Sequence, residues 1–215
     1  MFLLVPDGPD TTRSAGFDPT AIKAIFTSPR FRASAFGYFG HMWELYALWA
    51  FVPLLLAGYA ERQADLDISL WSFAVIAAGA VGCVAGGLIS LRRGSARVAY
   101  AQLLASGLCC LASPLAFQAP PVVFLAFLLF WGAVVAGDSP QFSALNARYA
   151  PPALVGSALT IANCIGFSIT IISIQTLSAL AASVDIIWLF VPLAIGPALG
   201  LLALRPLVSP EDTGR

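Results

Sequence analysis

Six long apolar segments, separated by short polar or proline-containing stretches, run along this 215-residue chain. A helix needs about 20 mostly apolar residues to cross a bilayer, and all six segments have about that length. They lie at roughly 35–58, 69–90, 98–117, 121–142, 154–182 and 186–204. Only 10% of the residues are charged and 59% are hydrophobic, whereas soluble domains are about one-quarter charged. The sequence therefore predicts an all-α, polytopic membrane protein with six transmembrane helices.

The basic residues predict the orientation of these spans. Ten of the eleven Lys and Arg residues precede the first span, lie between the second and third, or follow the fourth and sixth; Arg62 alone lies on the other side. Because basic loops stay in the cytoplasm, we expect both termini to be cytoplasmic in a multi-pass protein of the inner (plasma) membrane. A net charge of zero, without a Lys/Arg run or an aromatic RNA-binding motif, argues against nucleic acid as a partner.

Three regions follow from this assignment: a cytoplasmic tail at 1–34, a transmembrane bundle at 35–205 and a second tail at 206–215. Within the first tail, Asp18-Pro19 has the pattern of a helix start. Apolar residues follow on one side, and Ser28-Pro29 would end the helix. The pattern predicts a short amphipathic helix on the inner surface, with a solvated linker as the alternative.

Ionisable side chains inside the spans are the first functional candidates, because charge is costly in hydrocarbon. His41 and Glu44 lie three residues apart in the first span and therefore share a helix face. Asp138 lies near the inner end of the fourth span, at a comparable depth. Our hypothesis is that Glu44 or Asp138 binds a proton or a cationic group, with His41 as relay or hydrogen-bond partner. The alternative is a structural polar network that holds the helices together.

Pro140 follows Asp138 by two residues and frees the carbonyl of Ala136. Exposed backbone beside Asp138 and Gln141 is tolerable only where it lines a cavity or is packed in protein. A fraying helix end explains the same residues.

The fifth span carries a stripe of polar residues, which suits a water-filled pathway or a helix–helix interface. The stripe consists of Thr160, Asn163, Thr170 and Ser173. Glycines four apart, Gly82 with Gly86 and Gly196 with Gly200, predict close helix packing.

The four cysteines all lie in apolar segments without the spacing of a zinc site, so we expect small buried side chains, no metal and no cofactor. The five tryptophans lie mostly near span ends or at lipid-facing positions, as in an aromatic belt.

Longer motifs carry a family resemblance. Residues Gly37 to Phe51 read GYFGHMWELYALWAF, and Ala136 to Ser168 read AGDSPQFSALNARYAPPALVGSALTIANCIGFS. These segments resemble the seventh, tenth and eleventh helices of major facilitator superfamily (MFS) transporters in the bacterial nitrate/nitrite- or cyanate-permease-like branch. The stretch LLVPDGPD is similar to the exit from the sixth helix of such a protein into its central loop.

The turn GLISLRRGSAR resembles the loop signature of the same superfamily, which is Gly followed by Asp-Arg-x-Gly-Arg. Gly87, Arg92, Gly94 and Arg97 fit the signature. Leu91 stands in place of the Asp and Ser95 in place of a basic residue, so this turn lacks the acidic residue of the gating ion pair attributed to that loop.

The resemblance implies the C-terminal half of a secondary transporter: six helices as two inverted three-helix repeats, a substrate site between the halves, and alternating access. Lipid and a small solute, an anion by family analogy, would be its partners, together with a missing N-terminal half or a second copy. Met1 just before the central-loop resemblance suggests a truncated gene product. An independent six-span channel or exporter acting as a homodimer, and a non-functional truncated transporter, remain alternatives. An intramembrane enzyme is poorly supported, because neither GxSG with a partner histidine nor HExxH occurs.

Overall fold

The structure, a computed structural model, describes residues 20–63 and 65–208, and over those residues it has helices joined by turns and no strands. The Asp18-Pro19 helix start and LLVPDGPD lie outside the described residues. The α-helices are α1 (Thr20–Ile25), α2 (Pro29–Ala60), α3 (Ile68–Arg93), α4 (Ser95–Ala116), α5 (Pro121–Gly137), α6 (Ser139–Tyr149), α7 (Val155–Ala181) and α8 (Ile195–Val208). Short 3₁₀ turns at Pro152–Leu154 and Val191–Ala194 precede α7 and α8.

Six helical segments of the described chain are long and apolar enough to cross a membrane. They are Pro29–Ala60, Ile68–Arg93, Ser95–Ala116, Pro121–Tyr149, Pro152–Ala181 and Val191–Val208. The chain is therefore an all-α, multi-pass membrane protein, as the sequence predicts.

Local capping explains where the first spans begin and end. Ser28 Oγ accepts a hydrogen bond from the Phe31 N–H at 3.3 Å, and Pro29 occupies the first helical position. As a result α2 begins at Pro29, six residues before the start predicted from hydropathy, and α1 ends before the Ser28-Pro29 pair. Asp67 caps α3 through the Leu70 N–H at 2.9 Å. Gly94, with φ of 81°, makes the turn into α4.

The last span begins later than predicted. Residues 186–190 form consecutive turns, in which Asp185 Oδ1 accepts a hydrogen bond from the Ile187 N–H at 3.0 Å. The span therefore runs from Val191 to Val208, instead of from 186 to 204.

The helix pairings have an internal symmetry. Helix α2 packs against α7 and α8, α3 packs against α5, and α4 packs against α5 and α8. The first three spans are α2, α3 and α4, and the last three are α5 with α6, α7 and α8. If the two sets are exchanged in order, the α2–α8 contact corresponds to the α5–α4 contact. The α3–α5 contact likewise corresponds to the α7–α2 contact. Three crossings leave the chain on the opposite side of the membrane. The second set of three helices therefore enters the membrane from the side opposite to the first set. This is an arrangement of two inverted three-helix repeats.

Glycines allow the closest of these pairings. A Cβ added at Gly82 would collide with the Ala133 carbonyl across the α3–α5 contact, and one at Gly132 would collide with that of Val75. At the α2–α8 contact, Gly40 and Gly196 lie against each other's backbone. Close backbone approach of this kind stabilises helix association in lipid.

The fourth span bends at Asp138, between α5 and α6, and does not fray there. Helix α6 continues to Tyr149, seven residues beyond the predicted end of the span at 142. The Ala136 carbonyl beside the Pro140 bend accepts from the Cys83 thiol at 3.3 Å and from the Asp138 N–H. The exposed backbone predicted here is thus packed in protein, against α3.

Candidate functional site

Glu44 lies fully buried, and three donors surround its carboxylate. Oε1 accepts from Trp131 Nε1–H at 2.8 Å and from the Cys110 thiol at 3.3 Å, while Oε2 accepts from the Ser106 hydroxyl at 2.9 Å. Among the described residues, no Lys, Arg or His forms an ion pair with Glu44. The site therefore holds this carboxylate with neutral donors from α4 and α5.

Ser106 lies between two acceptors. Its Oγ is 2.9 Å from Glu44 Oε2 and 3.1 Å from the Leu103 carbonyl oxygen, but a hydroxyl has one proton to donate. If Glu44 takes up a proton on Oε2, that proton can be donated to Ser106 Oγ while the Ser106 hydroxyl turns to Leu103. The carboxyl group can thus gain or lose a proton without leaving a buried polar atom unpaired.

His41 and Asp138 form the second part of the site. His41 Nδ1 lies 2.8 Å from Asp138 Oδ1, and both side chains are buried. The Tyr38 and Phe142 rings flank the imidazole, with centroid distances of 6.0 and 5.8 Å. Within the described chain, none of the four nitrogen and oxygen atoms of these two side chains has a partner in hydrogen-bond geometry, and His41 Nε2 and Asp138 Oδ2 also lack an ion-pair contact. Buried polar atoms without a partner are costly, so this pair has one donor or acceptor position on each residue available for water or a ligand.

The two ionisable residues of α2 therefore have separate partners. His41 contacts the bend between α5 and α6, whereas Glu44 contacts α4 and α5. Because α2 starts at Pro29, they lie about 18 and 22 Å along a helix of about 48 Å. Both are close to the middle of that helix, deeper than the predicted start of the span implied.

The other predicted pathway residues are distributed between the interior and the surface. Gln141 is buried in α6. Asn163 is exposed on α7, where its Oδ1 accepts from the Tyr38 hydroxyl at 3.0 Å. Thr170 is buried and donates to the Met42 carbonyl at 2.9 Å, whereas Thr160 donates to Gly156 of its own helix. The predicted α7 stripe is thus divided between a helix contact and an exposed face.

Further polar residues continue that exposed face. Ser157, Cys164, Ser168 and Gln175 are all exposed and are separated by seven, four and seven residues. Such spacing places them on one side of a helix. We call these four residues the α7 polar stripe.

The predicted loop signature forms the turn between α3 and α4. Arg92 and Arg97 are exposed beside Gly94, and Gly87 faces open space. None of the Asp or Glu residues in the described chain forms an ion pair with Arg92 or Arg97. This fits the presence of Leu91 at the acidic position of the signature.

Sequence reasoning missed the partners of Glu44. Trp131 was expected near a span end or facing lipid, yet it is completely buried and donates to the carboxylate. Cys110 was expected to be a small buried apolar residue, but its thiol donates to Glu44. Cys164 was expected to be buried and is exposed. The spacing could have indicated these donors, because residues separated by whole helical turns share a face. Trp131 lies two turns before Asp138, and Ser106 lies one turn before Cys110.

Six membrane-crossing helices around buried ionisable side chains define a polytopic membrane protein with the architecture of a transporter. The family model for the Major Facilitator Superfamily matches residues 1–174. The chain belongs to this superfamily, whose members are membrane transporters. A comparison with curated proteins gave no match.

Proposed function

We propose that this chain is the C-terminal half of a secondary active transporter of the nitrate/nitrite- or cyanate-permease-like branch. It moves a small solute by alternating access in the inner membrane, with both termini in the cytoplasm. A second six-helix half, or a second copy of the chain, completes the solute pathway.

The α7 polar stripe supports the proposal that a second half or a second copy forms the opposite wall of the solute pathway. Lipid tails offer no hydrogen bonds, so exposed amide and hydroxyl groups within a span favour a protein or water neighbour. Gln175 and Asn163 are exposed amides on α7. A partner half that leaves water along this face satisfies them, and the face then borders the solute pathway.

The arrangement of Glu44 and Ser106 is the observation that carries proton coupling. A buried carboxylate without a cation, beside a hydroxyl that can turn to a second acceptor, suits a group that changes protonation during each cycle. His41 and Asp138 offer Nε2 and Oδ2 to water or to the solute, near the bend in the fourth span. Proton loss from Glu44 and solute release from the pathway are then linked through α2.

An anionic solute requires a cation that this chain does not supply deep in its spans. The described Lys and Arg residues cluster at helix ends and loops, and none of them is buried in the middle of a span. A second half would provide the fixed cation.

Proteoliposomes containing the full chain, with and without a co-expressed N-terminal half, and the pH dye pyranine test this proposal, with nitrate, nitrite or cyanate added outside. We expect a solute-dependent change of internal pH that Glu44→Gln abolishes and that Glu61→Gln, in the exposed turn after α2, retains. An unchanged solute-driven pH signal and pH profile in Glu44→Gln would remove Glu44 from the coupling mechanism.

A second measurement needs no solute. Infrared difference spectra across a pH titration should show a carboxylic acid carbonyl band that Glu44→Gln removes. Absence of that band from the unsubstituted chain throughout the titration would contradict protonation of Glu44.

Pairing with itself is the second candidate, because the α7 polar stripe suits a second copy as well as a different half. Solute flux from the purified chain alone, together with dimers in the same preparation, would favour self-pairing. Flux that needs a co-expressed N-terminal half would favour the two-part transporter.

A further inference from the structure

A cavity of about 870 Å³ lies between α3 and α4, where the two helices meet at Gly94. Arg92, Arg93 and Arg97 line the end near the turn. One to two turns further along the helices its wall is mainly apolar, formed by Leu88, Ile89, Val98 and Ala101. A smaller pocket of about 210 Å³ adjoins it, sharing Arg93 and Arg97 and adding Arg148.

Within residues 20–63 and 65–208, no carboxylate pairs with the arginine cluster, which we define as Arg92, Arg93, Arg97 and Arg148. All four side chains are exposed, and none forms an ion pair with an Asp or Glu in the part of the chain that the structure describes. The exposed carboxylates of that part all lie on loops at the opposite side of the bundle. They belong to Glu61, Asp65, Asp67 and Asp185.

The cavity combines a cationic end with an apolar wall that faces outward. Leu88 is 64% exposed, Ile89 53% and Leu91 83%. A small soluble anion would use the arginines and leave this wall unused. A molecule with an anionic head and an apolar chain matches both parts, because guanidinium groups bind phosphate oxygens in pairs and buried hydrocarbon is favoured along the wall.

We propose that this cavity binds an anionic phospholipid. The phosphate lies on Arg92, Arg93 and Arg97, and one acyl chain follows Leu88, Ile89 and Val98. Basic pockets between membrane helices recognise lipid head groups in this way. The bound lipid joins the end of α3 to the start of α4 across the Gly94 turn. The site is separate from the buried residues assigned to transport.

Native mass spectrometry of the detergent-purified full chain tests the site, with phosphatidylglycerol or phosphatidylcholine added at equal concentration. We expect retained phosphatidylglycerol to exceed phosphatidylcholine. Combining Arg92→Gln, Arg93→Gln and Arg97→Gln should weaken phosphatidylglycerol binding by roughly tenfold or more, since each basic residue near a membrane surface adds to attraction of anionic lipid. Arg205→Gln, on the same side of the bundle but outside the cavity, should leave binding unchanged. Equal retention of both lipids, or unchanged binding in the triple variant, would overturn the proposal.

A second pair of variants tests the apolar wall without removing charge. Ala101→Phe fills the cavity and should reduce phosphatidylglycerol binding, while Ala179→Phe, at an exposed position on α7, should not. Glycerol 3-phosphate and inorganic phosphate serve as competitors. We expect neither to displace the lipid at equal concentration. If either displaces it, or if Ala101→Phe binds the lipid normally, the site is a soluble-anion site and the lipid proposal fails.

Discussion

Helices α2 and α7 both carry polar residues in an apolar span, but they place them differently. On α2, His41 and Glu44 are buried and contact side chains of α4, α5 and the bend before α6. On α7, Thr160 and Ser168 donate to carbonyls of their own helix and remain exposed. The difference follows from chemistry: a hydroxyl finds an acceptor one turn back, whereas a carboxylate needs donors from other helices. The ionisable residues of α2 therefore contact other helices in the interior, while Thr160 and Ser168 of α7 lie on a face that is open to a partner.

The largest expected difference between α2 and α7 is in the stability lost when a glycine of each helix is replaced by alanine. A Cβ at Gly40 on α2 would lie 2.9 Å from the Gly200 Cα and closer still to the Gly196 carbonyl oxygen, whereas one at Gly156 on α7 meets nothing within 4 Å. We expect Gly40→Ala to destabilise the fold by about 3 kcal/mol, because overpacking against backbone cannot relax through a rotamer change. Gly156→Ala should be neutral or stabilising by up to about 1 kcal/mol.

Denaturant unfolding in detergent micelles measures both glycine variants. Equal stabilities of Gly40→Ala and Gly156→Ala would mean that the α2–α8 contact is looser than the structure shows.

Removing a hydrogen-bond donor to Glu44 is expected to lower the stability by less than Gly40→Ala does. Trp131→Phe keeps an aromatic ring at this position but removes the Nε1–H that donates to Glu44 at 2.8 Å. We expect a loss of about 2 kcal/mol, since a hydrogen bond to a buried charged group contributes roughly 1.5–3 kcal/mol. Trp188→Phe is the matched control, because Trp188 is 58% exposed. The same unfolding measurement applies, and a Trp131 variant as stable as the Trp188 variant would contradict the hydrogen bond.

Much of this architecture could be read from the sequence because it depends on local properties. Length and hydropathy predict six spans, and the resemblance to MFS transporters implies two inverted three-helix repeats. The Ser28-Pro29 pair also marks a boundary that the structure uses, although as the start of α2. Hydropathy placed that start later because the first turns of α2 carry Arg30 and Arg32.

The partners of the site residues depend on contacts distant in sequence, which composition cannot show. His41 and Asp138 were expected at similar depth, and the structure places their side chains 2.8 Å apart. Trp131 could not be assigned as the donor to Glu44 without knowing that α5 packs beside α2, because a buried and a lipid-facing tryptophan look alike in an apolar run. The α7 polar stripe was not predicted from the sequence. Its exposure is informative only when the structure shows which other helix faces are packed against neighbours.

Cysteine labelling distinguishes the exposed face of α7 from the buried surroundings of Glu44 without a stability measurement. Cys164 is exposed within the α7 polar stripe, whereas Cys110 is buried against Glu44. In single-cysteine variants we expect a water-soluble maleimide to label Cys164 and not Cys110, because thiol reactions need access. Labelling in membranes that is lost when a partner half is co-expressed would show that this partner covers the stripe. Labelling of Cys110 at the same rate as Cys164 would contradict the packing around Glu44.

The smallest effect is expected where the C-terminal ends of α2 and α7 meet. Arg62 follows α2 and Asp185 follows α7, and their side chains form a paired contact at 3.2 and 3.1 Å with both residues exposed. Hydrogen bonds from Arg62, and then from the Ile187 N–H, lower the pKa of Asp185 below its ordinary value of 3.8. A lowered pKa in the folded state means that the stabilisation is present above 3.8 and is lost as the pH falls through the folded-state pKa.

Exposed ion pairs contribute little and are screened by salt, so Arg62→Gln should lower the melting temperature slightly at neutral pH and low salt. A double-mutant cycle with Asp185→Asn isolates the pair. The coupling between the two substitutions should disappear in about 1 M salt, where the screening length falls to about 3 Å. Coupling that persists in high salt and below the folded-state pKa of Asp185 would mean that packing, not charge, joins the ends of α2 and α7.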